Sequence, residues 1–513
     1  MNRQVLKATF IIITLLNTTI KGYGTLAQND FDPLESSHYR YNFLNENLKA
    51  IEKDLTKNKI YERLKLTISP FAQKASRARD SKKNETFAGD LHGPWNIIGL
   101  TYGTAPAGQV FSPTLLTAKN VATYQDGQKI DFSGYSDTNQ NLGFFSVPLK
   151  YQKLGIRFGL ETRILGDLVV SVHGGLANIK QRPGISTADA ALTIGDGSTA
   201  TTGTVPGPGP VVPIGPFINR QLRQLYTAGT PPTPQSPMVR ILQLQDYYGT
   251  ATPGGGAITS VEPDIATVES FLTQQYQKIF DEIGLDVTEF NETGPEDIYA
   301  SFVWRHNFFI NTDDAQEYAP FIMTPFIKVI ASAAIGKEMD PAKAFSIPFG
   351  NNGHHAISVN TGFSVDFYET VEVSWQAGAT HFFTTNVAGL FVPTDTLQQG
   401  VYPFKTNVTV APGKTWFFSV AMNAYRFIDK LSFFGEYVFT SHSQDAITLV
   451  QPDTTFKPER LSLDSIWKTQ AINVGLNYEL SQHLIFGAAW QAPLNQQSAY
   501  KTNCIMLSLA GLF

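Results

Sequence analysis

The chain has 513 residues, of which 16% are charged, against roughly 25% in ordinary globular chains, while its 36 Phe, 20 Tyr and 41 Gly are plentiful. A formal net charge of −5 without a basic cluster argues against nucleic-acid binding, and a mean hydropathy of −0.11 argues against a bundle of membrane helices. A single cysteine excludes an intrachain disulfide and leaves no cysteine-based metal site.

Residues 1–27 read as an export signal. Arg3 and Lys7 give a positive start, Ala8–Ile20 form an apolar run of 13 residues, and the small residues of "GYGTLAQ" follow. The run is short for a bilayer span, which takes about 20 residues. Cleavage would remove Arg3, Lys7 and Lys21 but no acid, taking the charge to −8. No later stretch holds 18 consecutive apolar residues, so no membrane helix is expected. Over 28–63, Leu44, Leu48, Ile51, Leu55 and Ile60 recur at roughly helical spacing among charges, which predicts a short helical segment.

Past the signal the dominant period is two, less regular over 64–134, which could add a further pair of strands. Leu154, Ile156, Phe158 and Leu160 alternate with Gly155, Arg157, Gly159 and Glu161. "AISVNTGFSVDF" (356–367), "VEVSWQAGAT" (371–380), "INVGLNYEL" (472–480) and "LIFGAAW" (484–490) repeat the pattern. Successive strand side chains point to opposite faces, so each segment has one apolar face and one small or polar face. A soluble sandwich and a membrane barrel both alternate, the first burying its apolar face and the second turning it to lipid. Three features favour the barrel. The runs reach the 9–11 residues that a bilayer requires. The polar faces are rich in Gly, Ser, Asn and Thr and poor in Lys. Phe367, Trp416, Tyr437, Tyr478 and Trp490 sit near run ends, as an interfacial girdle would.

Connections sort by length. Short turns fall at 163–167, 366–370, 426–430 and 479–483, and long ones at 333–353, 386–412 and 440–465. The stretch 181–296 is longer still and carries "GTVPGPGPVVPIGP" (203–216) and "GTPPTPQSP" (229–237), compositions that run extended. Inside it, 263–284 forms an amphipathic helix that starts at Pro263–Asp264 and stops at Gly284. Its apolar face must be buried, on the rim of a barrel or folded inward as a constriction.

The chain closes on "CIMLSLAGLF", with Ile505, Leu507, Leu509 and Phe513 at alternate positions and Gly511 between the last two. This end resembles the C-terminal signature strand of bacterial outer-membrane β-barrel proteins, in which a terminal aromatic with alternating apolar residues is read by the barrel-assembly machinery. Gly511 stands where that family often has an aromatic. The resemblance covers about ten residues as a motif and about 350 as a general pattern. It implies an all-β, transmembrane, antiparallel up-and-down barrel of 12–14 strands over 64–513. A short N-terminal helical segment precedes it, and one large loop insertion at 181–296 interrupts it. It further implies Gram-negative outer-membrane localisation, contact with outer-membrane lipid, and a periplasmic placement of residues 28–63, as a stub or as a plug in the lumen mouth. Eleven runs are counted back from Phe513, and the next is sought at 94–103 or at "LTISPFAQ" (66–73).

Chemistry-bearing motifs are thin. "GDGSTA" (195–200) lacks the strand and helix that would make it a phosphate loop. His354–His355 and the Ser441–His442–Ser443 stretch read as polar loop residues, and no catalytic site, metal site or cofactor is expected. Lipid-facing apolar sides leave Arg157, Glu161, His173, Asn360, Asp366, Glu372, Gln376, Glu436, Asn473, Asn477 and Glu479 lining the lumen. Acids outnumber bases in that set, so a water-filled pore would lean toward cations. The expected function is a channel for passive diffusion of small solutes. The alternatives are a transporter of hydrophobic compounds and a surface-display protein or adhesin anchored by its barrel.

Overall fold

The structure, a computed structural model, describes residues 64–93, 95–96, 100, 105–109, 144–145, 147–165, 167–183, 194–195, 277, 280–306, 308–310 and 321–513 apart from 368–369, 397, 429 and 482. The expected export signal, the helical segment over 28–63 and most of the 181–296 insertion lie outside the described residues.

Twelve strands form the wall: β1 Leu64–Ala75, β2 Leu149–Leu165, β3 Leu168–Pro183, β4 Ile298–Arg305, β5 Phe321–Ala333, β6 Ala356–Phe367, β7 Val371–Phe382, β8 Thr415–Ile428, β9 Leu431–His442, β10 Trp467–Ser481, β11 Leu484–Gln497 and β12 Asn503–Leu512. Each pairs antiparallel with its sequence neighbour, and β12 returns to β1, so the sheet closes on itself. The lower of the two expected counts is the observed one. The strand that completes the ring is Leu64–Ala75, not 94–103. Trp95–Asn96 instead pairs with Phe144–Phe145 away from the wall. The reason is pattern length: "LKLTISPFAQKA" alternates in burial over all twelve residues.

Polarity follows the pleat. Along β6, Ile357, Val359 and Phe363 face outward, with Val359 48% exposed, while Ser358, Asn360, Ser364 and Asp366 are buried. Outward apolar residues recur on every strand from Leu66 and Ile68 on β1 to Ile505, Leu507 and Leu509 on β12. A soluble sheet would bury that face. Here it forms the belt that lipid requires, because a closed barrel satisfies all its ladder hydrogen bonds internally. Phe367, Trp416 and Tyr478 do sit at strand ends. Tyr437 and Trp490 do not: full-length ladders place them in mid-strand, so they do not belong to a girdle.

One device recurs around the inner face. Phe71 lies over Gly155, its direct partner on β2, and Phe326 over Gly362, Phe417 over Gly378 and Phe434 over Gly475 stand in the same relation. A Cβ added at Gly155 would come within 2.7 Å of the Phe71 ring, and one at Gly362 within 2.9 Å of Phe326. Each ring covers the backbone that its glycine exposes, a cross-strand aromatic rescue. These four glycines of the polar face are therefore seats for inward aromatics.

The wall has one irregularity of consequence. Phe290–Pro295 pairs with β3 above β4, and between Pro295 and Tyr299 three residues oppose two on β3. This bulge turns both Glu296 and Asp297 inward, where each is buried. The insertion is correspondingly shorter than 181–296, since β3 runs to Pro183 and the wall resumes at Phe290.

The two ends differ. Leu64, Phe513 and the hairpin turns after β2, β6, β8 and β10 share one end, and each turn joins strands paired to their last residues. The opposite end carries the long connections, with one exception: β11 and β12 are joined by residues 498–502 alone. Two of the long connections, 386–412 and 440–465, are not plain loops. Thr385–Val392, Phe404–Ala411 and Ala446–Leu449 make a separate three-stranded sheet, and Val387, Leu390, Val392, Phe404, Val408, Val410, Ile447 and Phe456 form a buried core beneath it. A second small sheet joins Arg77–Arg79, Glu85–Phe87 and Ala499–Tyr500. Together these elements cap the loop end.

Candidate functional site: the lumen and its cap

Strand parity puts all eleven sequence-predicted lining residues on the inner face. Arg157, His173, Asn360, Asp366, Glu372, Glu436, Asn473 and Asn477 are buried there, and Glu161, Gln376 and Glu479 are half-buried. Several of them converge. Gln376 on β7 and Asn473 on β10 both donate to Glu436 on β9, at 3.5 and 2.7 Å. His173 Nε2 meets Ser171 at 3.0 Å, and Ser171 meets Ser301 on β4 at 2.6 Å. Asn360 Oδ1 accepts from Ser358 at 3.2 Å, and Thr380 donates to Ser358 at 3.1 Å.

The strongest cluster contains two residues that the alternation did not single out. Glu296 takes a bidentate pair from Arg157 at 2.6 and 2.8 Å and an ion pair from Lys153 at 3.0 Å, while the guanidinium lies 4.2 Å from the Phe71 ring. Gly175 opposite leaves the room: a Cβ there would meet Glu296 Oε2 at 2.6 Å. All three charges are buried, so each depends on the others for its solvation. Glu296 was assigned to the insertion, and only the bulge brings it inside. Lys65 and Lys328 are also inward and buried. Their parity within "LKLTIS" and "FIKVIAS" carries that signal.

Charges sort around the ring. Lys65, Lys153, Arg157 and Lys328 lie on β1, β2 and β5. Among the described inner-face side chains of β6–β12 there is no Lys or Arg, while Asp366, Glu372, Glu436 and Glu479 are all there. One side of the lumen holds these bases together with Glu161, Glu296 and Asp297, and the other holds acids without a described Lys or Arg. Near the turn end, Asp366 and Glu372 stand directly opposite each other, and Glu372 stands opposite Asn423 on β8.

The loop end is closed by packed side chains. His442 stacks on Trp467 with ring centroids 5.5 Å apart, meets Thr415 Oγ1 at 2.8 Å through Nδ1, and meets Asp445 Oδ1 at 2.9 Å through Nε2. Asp445 also accepts the Gly413 N–H and donates its own N–H to Ser465. The "SHSQD" stretch thus clamps three cap segments to the rim. His354 meets the Phe383 carbonyl oxygen through Nδ1 at 2.9 Å, and His355 accepts the Ala334 N–H at 3.2 Å, so this pair staples the 334–355 connection.

Within the cap lies a cavity of about 200 Å³ lined mainly by apolar side chains, among them Trp95, Met339, Phe345, Leu390, Tyr402 and Leu461. Trp95 stacks on Phe345 at 5.5 Å and receives Phe280 edge-on at 5.9 Å. Phe280 belongs to the predicted insertion helix, of which 277 and 280–284 are described, so its C-terminal end is seated in the cap. Two ionisable groups line the cavity in company with these rings. Burial holds the His92 imidazole below its ordinary range against the pull of Asp464, and burial pushes the Asp464 carboxyl above its own against His92 and Arg460.

No protein-family model matches the chain, and no curated protein matches it. Solved structures do resemble it. An outer membrane channel from Pseudomonas putida F1 is 8% identical, with 88% of this chain and 96% of that chain covered and a TM-score of 0.41. The P. putida toluene transporter TodX is 7% identical over 88% and 91% of the two chains, with a TM-score of 0.26. The translocator domain of the autotransporter NalP from Neisseria meningitidis is 8% identical over 93% and 98%, with a TM-score of 0.28. At such identities and scores the likeness adds no argument of its own. The closed twelve-stranded antiparallel barrel stands on the strand pairing of this chain.

Proposed function

We propose that the protein is a Gram-negative outer-membrane channel for passive diffusion of small solutes. In this reading it is exported by a signal peptide cleaved near residue 27. The barrel-assembly machinery inserts it by reading Ile505, Leu507, Leu509 and Phe513, which are exposed on the outward face of the closing strand or just beyond it. The turn end then faces the periplasm and the cap faces outward, as the short-turn, long-connection asymmetry of such barrels has it. One observation carries the channel: a closed ring whose outer face is apolar and whose inner face carries Ser, Thr, Asn and charged side chains around the ring, interleaved with inward rings such as Phe71, Phe326, Phe417 and Phe434. A lining so polar solvates ions and small polar molecules. The acidic arc of Asp366, Glu372, Glu436 and Glu479 supports a preference for cations, because Glu296 already neutralises much of the basic side. Twelve strands fall between the eight that side chains fill and the 16 that hold an open channel. The lining side chains are also packed, so small, discrete conductance steps are expected.

The test is conductance of the refolded protein in a planar bilayer, first in symmetric salt and then in a gradient. Discrete steps with a cation-favouring reversal potential support the reading, and silence from correctly folded protein overturns it. The cap cavity favours a second reading, transport of hydrophobic compounds. Its volume exceeds the roughly 150 Å³ of apolar cavities that bind benzene. Saturable binding of a single-ring hydrocarbon, lost when Trp95 is replaced by Ala, would move the assignment to that reading.

A further inference from the structure

We propose that the turn end of the lumen holds a binding site for a hard divalent cation, built by Asp366, Glu372 and Asn423. These residues occupy one register row across three adjacent strands, Asp366 opposite Glu372 and Glu372 opposite Asn423. All three side chains point inward and are buried. On one face of antiparallel neighbours such partners have Cβ atoms about 4.5–5.5 Å apart, close enough for their oxygens to share one ion.

The independent observation is Asn423. Its side chain is 1% exposed, and both its Oδ1 and its Nδ2 are without a hydrogen-bond partner among the described residues. An amide left in that state bears the desolvation penalty of both its polar groups unless something occupies it. It stands beside Glu372 with its carbonyl oxygen available, which is what a ligand contributes. Ser364 and Ser374, paired with each other one inward row above, add hydroxyl oxygens beside the carboxylates, and Ile322 and Phe434 close the two ends of the row. Carboxylate, amide and hydroxyl oxygens without imidazole or thiolate select calcium or magnesium over softer metals. The site does not require the barrel to conduct, so it stands or falls separately from the channel.

Calorimetric titration of the refolded barrel in zwitterionic detergent with calcium chloride, and in parallel with magnesium chloride, tests it. One saturable site is expected, with an affinity on the order of 10⁻⁴ to 10⁻³ M, the range of modest oxygen sites. Glu372→Gln and Asp366→Asn keep side-chain size and should each weaken binding at least tenfold. Asn423→Asp adds a third carboxylate and should tighten it by a similar factor. Glu85→Gln, far away on the cap, should change nothing. Absence of a saturable site with either metal overturns the proposal. So does binding that survives unchanged in both Glu372→Gln and Asp366→Asn, since that places the ion elsewhere.

Discussion

The wall and the cap of this molecule use the same alternation with opposite meaning. On β6 the apolar residues Ile357, Val359 and Phe363 are exposed, and the polar residues between them are buried. On the cap strand Phe404–Ala411 the apolar residues Phe404, Val408 and Val410 are buried, and Lys405, Asn407 and Thr409 face away from the core. A period of two fixes the pleat and nothing more. Strands that close into a ring, ten of these twelve being 12–17 residues long, have a single interior and leave their other face to the membrane. Strands of eight residues and fewer in an open three-stranded sheet must bury one face on their own, here against Ile447 and Phe456. Each such side chain contributes about 1.5–3 kcal/mol, as in any water-soluble domain.

The difference predicts where a charge matters most. Glu296 holds two buried cations inside the wall, so Glu296→Ala should leave Lys153 and Arg157 uncompensated and lower stability by about 3–5 kcal/mol. Glu289 makes a comparable pair of contacts, to Lys180 and Arg182, but on the surface at the loop end. Glu289→Ala should cost below about 1 kcal/mol. Urea unfolding from lipid vesicles compares the two, and equal losses would mean that the lumen is solvated like the surface.

A smaller effect marks the edge of the lipid belt. Val359→Arg puts a charge on the outward face in mid-strand and should cost about 2–4 kcal/mol in a bilayer. Asn178 also faces outward, but toward the loop end, where it hydrogen-bonds Asn291 and Thr293. Asn178→Arg should cost about 0–1 kcal/mol. The same unfolding measurement would break the comparison if both positions behaved alike.

How much of this was legible in the sequence follows from the same contrast. The wall was readable because its runs are long and each hairpin turn is short, so eleven of the twelve strands and the sidedness of the eleven named lining residues follow from run length and parity. The cap was not. Its strands span eight residues or fewer and lie among turns, within stretches that read as plain loop, and the Val387 to Ile447 core depends on pairing between segments far apart in the chain. Glu296 escaped for a different reason: the bulge after Pro295 resets parity, and parity was the only guide to which face a residue takes. Tyr437 and Trp490 were placed at run ends because the sequence runs were read as shorter than the strands are. The role of the inner glycines also needs the partner strand, since nothing near Gly475 in the chain announces Phe434.

The smallest effect belongs to pH and separates cap from wall again. His354 is buried in the cap staple, and burial holds its imidazole below the ordinary value of 6.5, against the raising influence of the Phe383 carbonyl and of Asp445, with His355 reinforcing the depression. The folded cap therefore resists a proton that the undocked segment accepts. Its contribution to stability is fully present above about pH 6.5 and is lost as pH falls from there toward the depressed folded value, by at most about 1.4 kcal/mol per pH unit. His92 runs in the same direction. Asp464 runs in the opposite one, because a carboxyl raised by burial binds its proton more tightly when folded, so its contribution grows as pH falls. Hydrogen exchange of the 334–355 connection should quicken between pH 7 and 5.5 relative to amides of β6 and β7, beyond the intrinsic effect of pH on exchange. His354→Gln should flatten that dependence. An unchanged slope in the variant would assign the sensitivity to another group, and an equal response in the wall would mean that cap and barrel open as one unit.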